Sequence, residues 1–105
     1  MSISILDYLL ASLGEECGEV QQAIGKATRF GLLDVNIKNP TGPTNWVNLR
    51  HEVHDVVAVY ELLCEEFDRV ETLDRNLIEE KKRKVFKWLE LAKNLGRLDS
   101  DSIKS

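Results

Sequence analysis

The sequence has few of the residues that cross-link or interrupt a chain. Only two cysteines occur in 105 residues, Cys17 and Cys64, and both fall in apolar helical patterns. This placement favours buried free thiols over a disulfide. The only two prolines, Pro40 and Pro43, share one short segment, so the chain on either side can form long helices. Strand-type alternation and internal repeats are missing, which predicts an all-α protein.

Long apolar runs and an excess of basic charge are also missing. No run is long enough to span a membrane. The chain carries 14 basic and 18 acidic residues, a net charge of -4, which argues against general nucleic-acid binding. The start, Met1-Ser2-Ile3, lacks the basic segment of a secretory signal. We therefore expect a folded cytoplasmic protein without a membrane segment.

Apolar spacing predicts three helices. They are expected over about residues 3–30, 44–67 and 72–95, with Gly31 and Gly96 just past two of the ends. Residues 1–96 form one predicted domain, and residues 97–105 form a polar tail. The loop between the first two helices is long for a bundle and is either a ligand-contacting segment or a plain connector. The two tryptophans are expected in the core, with stacking on a base as the alternative.

Acidic residues interrupt the apolar patterns of the first two helices. Glu16 and Glu19 share one flank of the first apolar stripe, and Glu15 points further round. Glu52 and Asp55 share one flank of the second stripe. If the two helices pack, four carboxylates converge, and such a group repels itself unless a cation is bound. Oxygen ligands favour Mg²⁺ or Mn²⁺ over zinc.

Two histidines raise the alternative of a zinc site. The segment His51-Glu52-Val53-His54-Asp55 nearly forms His-Glu-x-x-His, but the second histidine comes one residue early. The two histidines are then three residues apart rather than four, which departs from the spacing of that zinc motif. Zinc is therefore disfavoured, and both histidines are expected at the surface. Further Glu-x-x-Asp pairs, Glu65/Asp68 and Glu71/Asp74, fall at a helix end and in a connection, where acids are ordinary.

Basic residues supply candidate phosphate contacts. Lys81 and Lys84 interrupt the apolar stripe of the third helix. Either they extend their charged ends past apolar neighbours into water, or one of them contacts a phosphate chain held by the metal. Arg29, Lys26 and Lys38 are further candidates with less positional support.

Together these motifs resemble a known family, the MazG-like all-α nucleoside triphosphate pyrophosphohydrolases, and most of all its short single-domain members, including those carried by phages. The resemblance covers roughly residues 6–96. The motifs that carry it are Glu15-Glu16-Cys17-Gly18-Glu19, Arg29-Phe30-Gly31, Glu52-Val53-His54-Asp55, and Lys81 and Lys84 before Trp88-Leu89.

The resemblance implies a Mg²⁺-dependent hydrolase that cleaves a nucleoside triphosphate between the α- and β-phosphates. Glu16, Glu19, Glu52 and Asp55 would be metal ligands, and Glu15 would orient water or a second ion. Together with the exposed apolar stripes, it also implies a homodimer or homotetramer that completes a four-helix core. Two alternatives stay open. One is a related pyrophosphohydrolase acting on dUTP, dCTP or phosphoribosyl-ATP, and the other is a catalytically silent helical interaction protein.

Overall fold

The computed structural model describes residues 2–67 and 73–99 and consists of three α-helices. These are α1 (Ile5–Phe30), α2 (Asn45–Phe67) and α3 (Arg75–Asn94), and the described residues contain no strand. The all-α prediction is confirmed. The chain divides into two compact units, one with α1 and α2 and the other with α3. Within the described residues, none of the helices has both the length and the apolar character of a membrane span.

Helix α1 is bounded by residues that form hydrogen bonds with backbone groups at its two ends. The Ser4 hydroxyl accepts a hydrogen bond from the Asp7 amide at 3.0 Å, which makes Ser4 the N-cap and starts the helix two residues later than predicted. At the other end, Gly31 has φ +99°, and its amide donates to the Ala27 carbonyl at 2.9 Å. Glycine reaches this φ without a side-chain clash, so the predicted stop at Gly31 is confirmed.

Backbone hydrogen bonds join the two ends of the connection between α1 and α2. Val35 and Thr44 form an isolated antiparallel bridge, and the Asn45 amide donates to the Asp34 carbonyl at 2.8 Å. The Thr44 hydroxyl accepts from the Val47 amide at 3.2 Å, as an N-cap does. Helix α2 then begins at Asn45 and ends at Phe67, as predicted, and packs against α1.

Helix α3 begins after an aspartate cap. The Asp74 carboxylate accepts from the amides of Asn76 at 2.9 Å and Leu77 at 3.4 Å, so Asp74 is the N-cap of α3. Thr72, near which the sequence predicts this helix to begin, lies outside the described residues, as do Asp68, Glu71 and most of the predicted tail. Exposed ion pairs then run along the first turns of α3, where Glu79 contacts Arg75 at 2.8 Å and Lys82 at 3.3 Å.

The α1–α2 pair encloses little apolar surface. Ala23 is the only apolar side chain that is buried among residues 2–67 and 73–99. Cys17 is exposed and Cys64 is half-buried, both as free thiols, so the expected burial of Cys17 is wrong. The reason is geometric, because α2 covers only part of the broad apolar stripe on α1.

Both tryptophans are likewise exposed rather than buried in the core. Trp46, in the first turn of α2, is 47% exposed, and Trp88 on α3 is 69% exposed. The expectation that both rings lie in the core is therefore wrong.

Candidate functional site

Three carboxylates meet where α1 packs against α2. Glu16 comes from α1, Glu52 and Asp55 come from α2, and one oxygen of each lies within 4.8 Å of the others. Glu52 and Asp55 share a face because they are three residues apart on one helix. Glu16 and Glu52 are half-buried and Asp55 is exposed. The structure thus brings together three of the four predicted metal ligands. We refer to Glu16, Glu52 and Asp55 as the carboxylate group.

The electrostatics of Glu16 reflect this crowding. Its pKa is raised above the usual value, first by partial burial and then by the neighbouring negative charges of Asp55, Glu52, Glu19 and Glu15. Both causes disfavour the ionised form of the side chain. The carboxylate group therefore has an unfavourable interaction that a bound cation would relieve.

The remaining two predicted acids lie beside the carboxylate group. Glu19 is exposed, about one turn further along α1, and lines a cleft next to the group. Glu15 is exposed, and its charge is one of those that raise the pKa of Glu16. The five acids predicted as catalytic therefore occupy one region, with Glu16 at its centre.

The adjoining cleft has a volume of about 210 Å³ and runs between α1 and α2. Its lining contains two carboxylates, one lysine and three amides. Glu52 belongs both to the cleft and to the carboxylate group, so the two are continuous. The cleft is lined by Glu19, Gln22, Ala23, Lys26, Asn45, Asn48 and Glu52.

One residue of the cleft, Asn45, has a buried group without a partner. Its side chain is 1% exposed, and its Nδ2 donates to the Gly31 carbonyl at 2.9 Å. Its Oδ1 is buried and has no hydrogen-bond partner within the residues that the structure describes. In the sequence, Asn45 is only a polar residue at the predicted start of the second helix. No local signal could have revealed this role, because the contact to Gly31 is tertiary.

The histidines lie outside the carboxylate group. His51 and His54 are both exposed. Nδ1 of His54 is 2.7 Å from the Arg50 carbonyl, and because a carbonyl can only accept, this nitrogen carries the proton. In the described ranges, the one group able to hold a metal contains no histidine or cysteine. Its donor set is therefore that of a hard cation rather than zinc.

The predicted phosphate-binding residues are spread over the chain. Lys81 and Lys84 are exposed on α3, in the second unit. The Arg29 guanidinium lies 5.6 Å from the centre of the Phe30 ring, and Lys38 is exposed in the loop. Neither Arg29 nor Lys38 lines the cleft beside the carboxylate group, whereas Lys26, a candidate with little sequence support, does.

No family model matches the chain, and no curated protein or solved structure matches it either. The chemistry of the site is therefore inferred from its own side chains. Three converging carboxylate oxygens can hold a divalent cation, orient water and accept a proton from it.

Proposed function

We propose that this chain is a Mg²⁺-dependent nucleoside triphosphate pyrophosphohydrolase that yields a nucleoside monophosphate and pyrophosphate. The observation that carries the proposal is the carboxylate group, formed by acids from two successive helices. The order of these acids in the sequence resembles the MazG-like enzymes, as does the all-α fold.

The donor set fits the ion that the resemblance implies. Glu16, Glu52 and Asp55 offer oxygen only, which suits Mg²⁺, with Mn²⁺ as the alternative ion. These three residues would hold the ion, and Glu19 is the fourth candidate ligand. When bound, the ion supplies Lewis-acid polarisation of the phosphate and neutralises charge on the departing pyrophosphate.

The protein's own residues provide the remaining steps. Glu15 orients the attacking water, and a carboxylate of the group accepts its proton while the water oxygen bonds to the α-phosphorus. The bond between that phosphorus and the bridging oxygen breaks, and pyrophosphate leaves. At least one of Lys81 and Lys84 contacts the phosphates, with Arg29 and Lys38 as further contacts.

The apolar face of α3 supports a homo-oligomer. Leu77, Trp88 and Leu95 are spaced by 11 and 7 residues and so share one side of the helical register. They are 63%, 69% and 58% exposed, respectively. We propose that a second copy of the chain covers this face in a homodimer, with a homotetramer as the alternative.

The decisive experiment is a hydrolysis screen. Purified protein is mixed with ribo- and deoxyribonucleoside triphosphates, including dUTP and dCTP, and with phosphoribosyl-ATP, in Mg²⁺ or in EDTA. We expect pyrophosphate and the monophosphate from at least one nucleoside triphosphate, in Mg²⁺ only. Release of orthophosphate alone, or equal activity in EDTA, would contradict the mechanism. A lack of both hydrolysis and Mg²⁺ binding would instead favour the alternative of a catalytically silent helical interaction protein.

A further inference from the structure

The amide of Asn45 has a fixed orientation. Nδ2 must face the Gly31 carbonyl, because that oxygen accepts a hydrogen bond and the distance is 2.9 Å. Turning the amide over would place two acceptors against each other, so the unpartnered atom is the oxygen Oδ1. A buried acceptor without a donor is energetically unfavourable, because it has lost its hydrogen bonds to water. The group that belongs opposite Oδ1 is therefore a hydrogen-bond donor.

The charge of the cleft indicates which part of a nucleotide it would accept. Glu19 and Glu52 contribute two negative charges, and Lys26 contributes one positive charge. An anionic phosphate would meet net repulsion here unless it sat against the metal. A neutral group that donates hydrogen bonds would instead find acceptors on both helices.

The position of Asn45 also suits the neutral end of a nucleotide. Asn45 precedes Glu52 by seven residues on α2, which is about 10 Å along a helix axis. A nucleotide whose phosphates lie at the carboxylate group can therefore extend its nucleoside along the cleft. In the conformation described, Oδ1 is closed to solvent. Entry of a ligand thus requires the side chains lining the cleft to shift, and Gln22 and Lys26 are exposed and long enough to do so.

We propose that the cleft between α1 and α2 binds the nucleoside part of the substrate, and that Asn45 Oδ1 accepts a hydrogen bond from it. This inference rests on the proposed function. The donor is a neutral N–H of the base or a hydroxyl of the sugar, and the experiment separates these two sources.

The test measures binding of non-hydrolysable α,β-methylene nucleoside triphosphates in Mg²⁺ by titration calorimetry. Each probe is paired with an analogue that lacks one donor. Purine riboside replaces adenosine, inosine replaces guanosine, 2-pyrimidinone riboside replaces cytidine, N3-methyluridine replaces uridine, and a 2′-deoxy sugar replaces each ribose. For the pair whose donor meets Asn45, we expect binding to weaken about five- to tenfold.

Two variants at one position separate the acceptor from the contact with Gly31. Asn45→Ala loses both, whereas Asn45→Asp loses the donor Nδ2 and keeps an oxygen acceptor. We expect the preference for the donor-bearing ligand to vanish in Asn45→Ala and to persist in Asn45→Asp. The control is Asn36→Ala, which removes a loop hydrogen bond from the Lys38 amide at 2.9 Å and should keep the preference.

Each outcome decides the proposal. A preference that survives in Asn45→Ala, or the absence of any preference in wild type, overturns the nucleoside subsite and leaves Oδ1 with a buried water only. The wild-type comparison holds even if both variants fail to fold. Asn45-dependent preference without pyrophosphate release from hydrolysable nucleotides would overturn the proposed function while the subsite stands. Pyrophosphate release without any preference for the donor-bearing ligand would overturn the nucleoside subsite while the proposed function stands. Failure of every probe to bind, together with no pyrophosphate release from hydrolysable nucleotides, would overturn both.

Discussion

Glu16 of α1 and Asp55 of α2 have carboxylate oxygens within 4.8 Å of each other, and Glu52 reaches the same point. The pKa of Glu16 is raised, first by its partial burial and then by like charges such as that of Asp55, and both disfavour ionisation. The folded protein without metal therefore carries a repulsion that should be visible in its stability.

The first prediction concerns removal of one of these charges. Asp55→Asn should be at least as stable as wild type in EDTA, because it relieves repulsion. A metal that binds only the folded state stabilises it by about 2.7 kcal/mol at a hundredfold excess over Kd. For a domain of this size, that raises Tm by on the order of 10 °C. Wild type should show this gain with Mg²⁺, and Asp55→Asn should show much less, as measured by thermal unfolding at one protein concentration.

The matched control is Glu65→Gln, an exposed carboxylate ten residues further along α2. It should respond to Mg²⁺ as wild type does. Loss of stability in EDTA by Asp55→Asn, together with a full Mg²⁺ response, would make Asp55 a structural acid.

The second prediction is a pH dependence of stability without metal. The pKa of Glu16 in the folded state is above the usual 4.5, so the folded state binds more protons than the unfolded state between those two values. Stability therefore falls as pH rises through that window. Glu16→Gln cannot ionise and should gain stability relative to wild type from about pH 4.5 upward, reaching a plateau above the folded pKa.

Urea unfolding in EDTA at a series of pH values measures this difference. Glu65→Gln again serves as the control, because it removes the same charge from an exposed site outside the group. A stability difference for Glu16→Gln that shrinks as pH rises would contradict the crowding of charges around Glu16.

Much of this architecture could be predicted from sequence because its signals are local. Gly31 ends α1 through its own φ, and Asp74 caps α3 through its own carboxylate. The acids of the carboxylate group were also predictable, because helical spacing places Glu52 and Asp55 on one face and Glu16 beside an apolar stripe.

The remaining features depend on tertiary packing between segments that are distant in the sequence. The exposure of Cys17 was missed because periodicity predicts an apolar stripe but not how much of it a neighbour covers. The burial of Asn45 was missed because its contact with Gly31 joins residues fourteen apart in the chain. Local patterns carry no information about such a tertiary contact.

The third prediction concerns the lysines of α3. Replacement of Lys81 or Lys84 by methionine keeps the apolar stem and removes the charge. For the lysine that contacts phosphate, loss of a charge-assisted hydrogen bond should raise KM about 10- to 100-fold, with helicity unchanged by circular dichroism. The control is Lys82→Met, whose ammonium contacts Glu79 at 3.3 Å on an exposed part of the helix. Normal kinetics in both test variants would leave these lysines as solvent-exposed side chains without a role in binding.

The last prediction concerns assembly. Trp88 is 69% exposed and shares a helical face with Leu77 and Leu95, so an isolated chain would present a broad apolar stripe to water. We expect sedimentation equilibrium to give at least twice the 12.0 kDa mass of one chain. We also expect Tm to rise with protein concentration, because association stabilises the folded state.

Trp88→Lys should weaken this association at least tenfold, because aromatic residues at the centre of an interface often contribute about 2 kcal/mol or more. The control is Leu33→Lys, which places the same charge on a loop residue that is 78% exposed. It should keep both the mass and the concentration dependence of wild type. A wild-type mass of one chain, with a Tm independent of concentration, would contradict the homo-oligomer. Full pyrophosphate release by that single chain would show that the carboxylate group acts without a second copy.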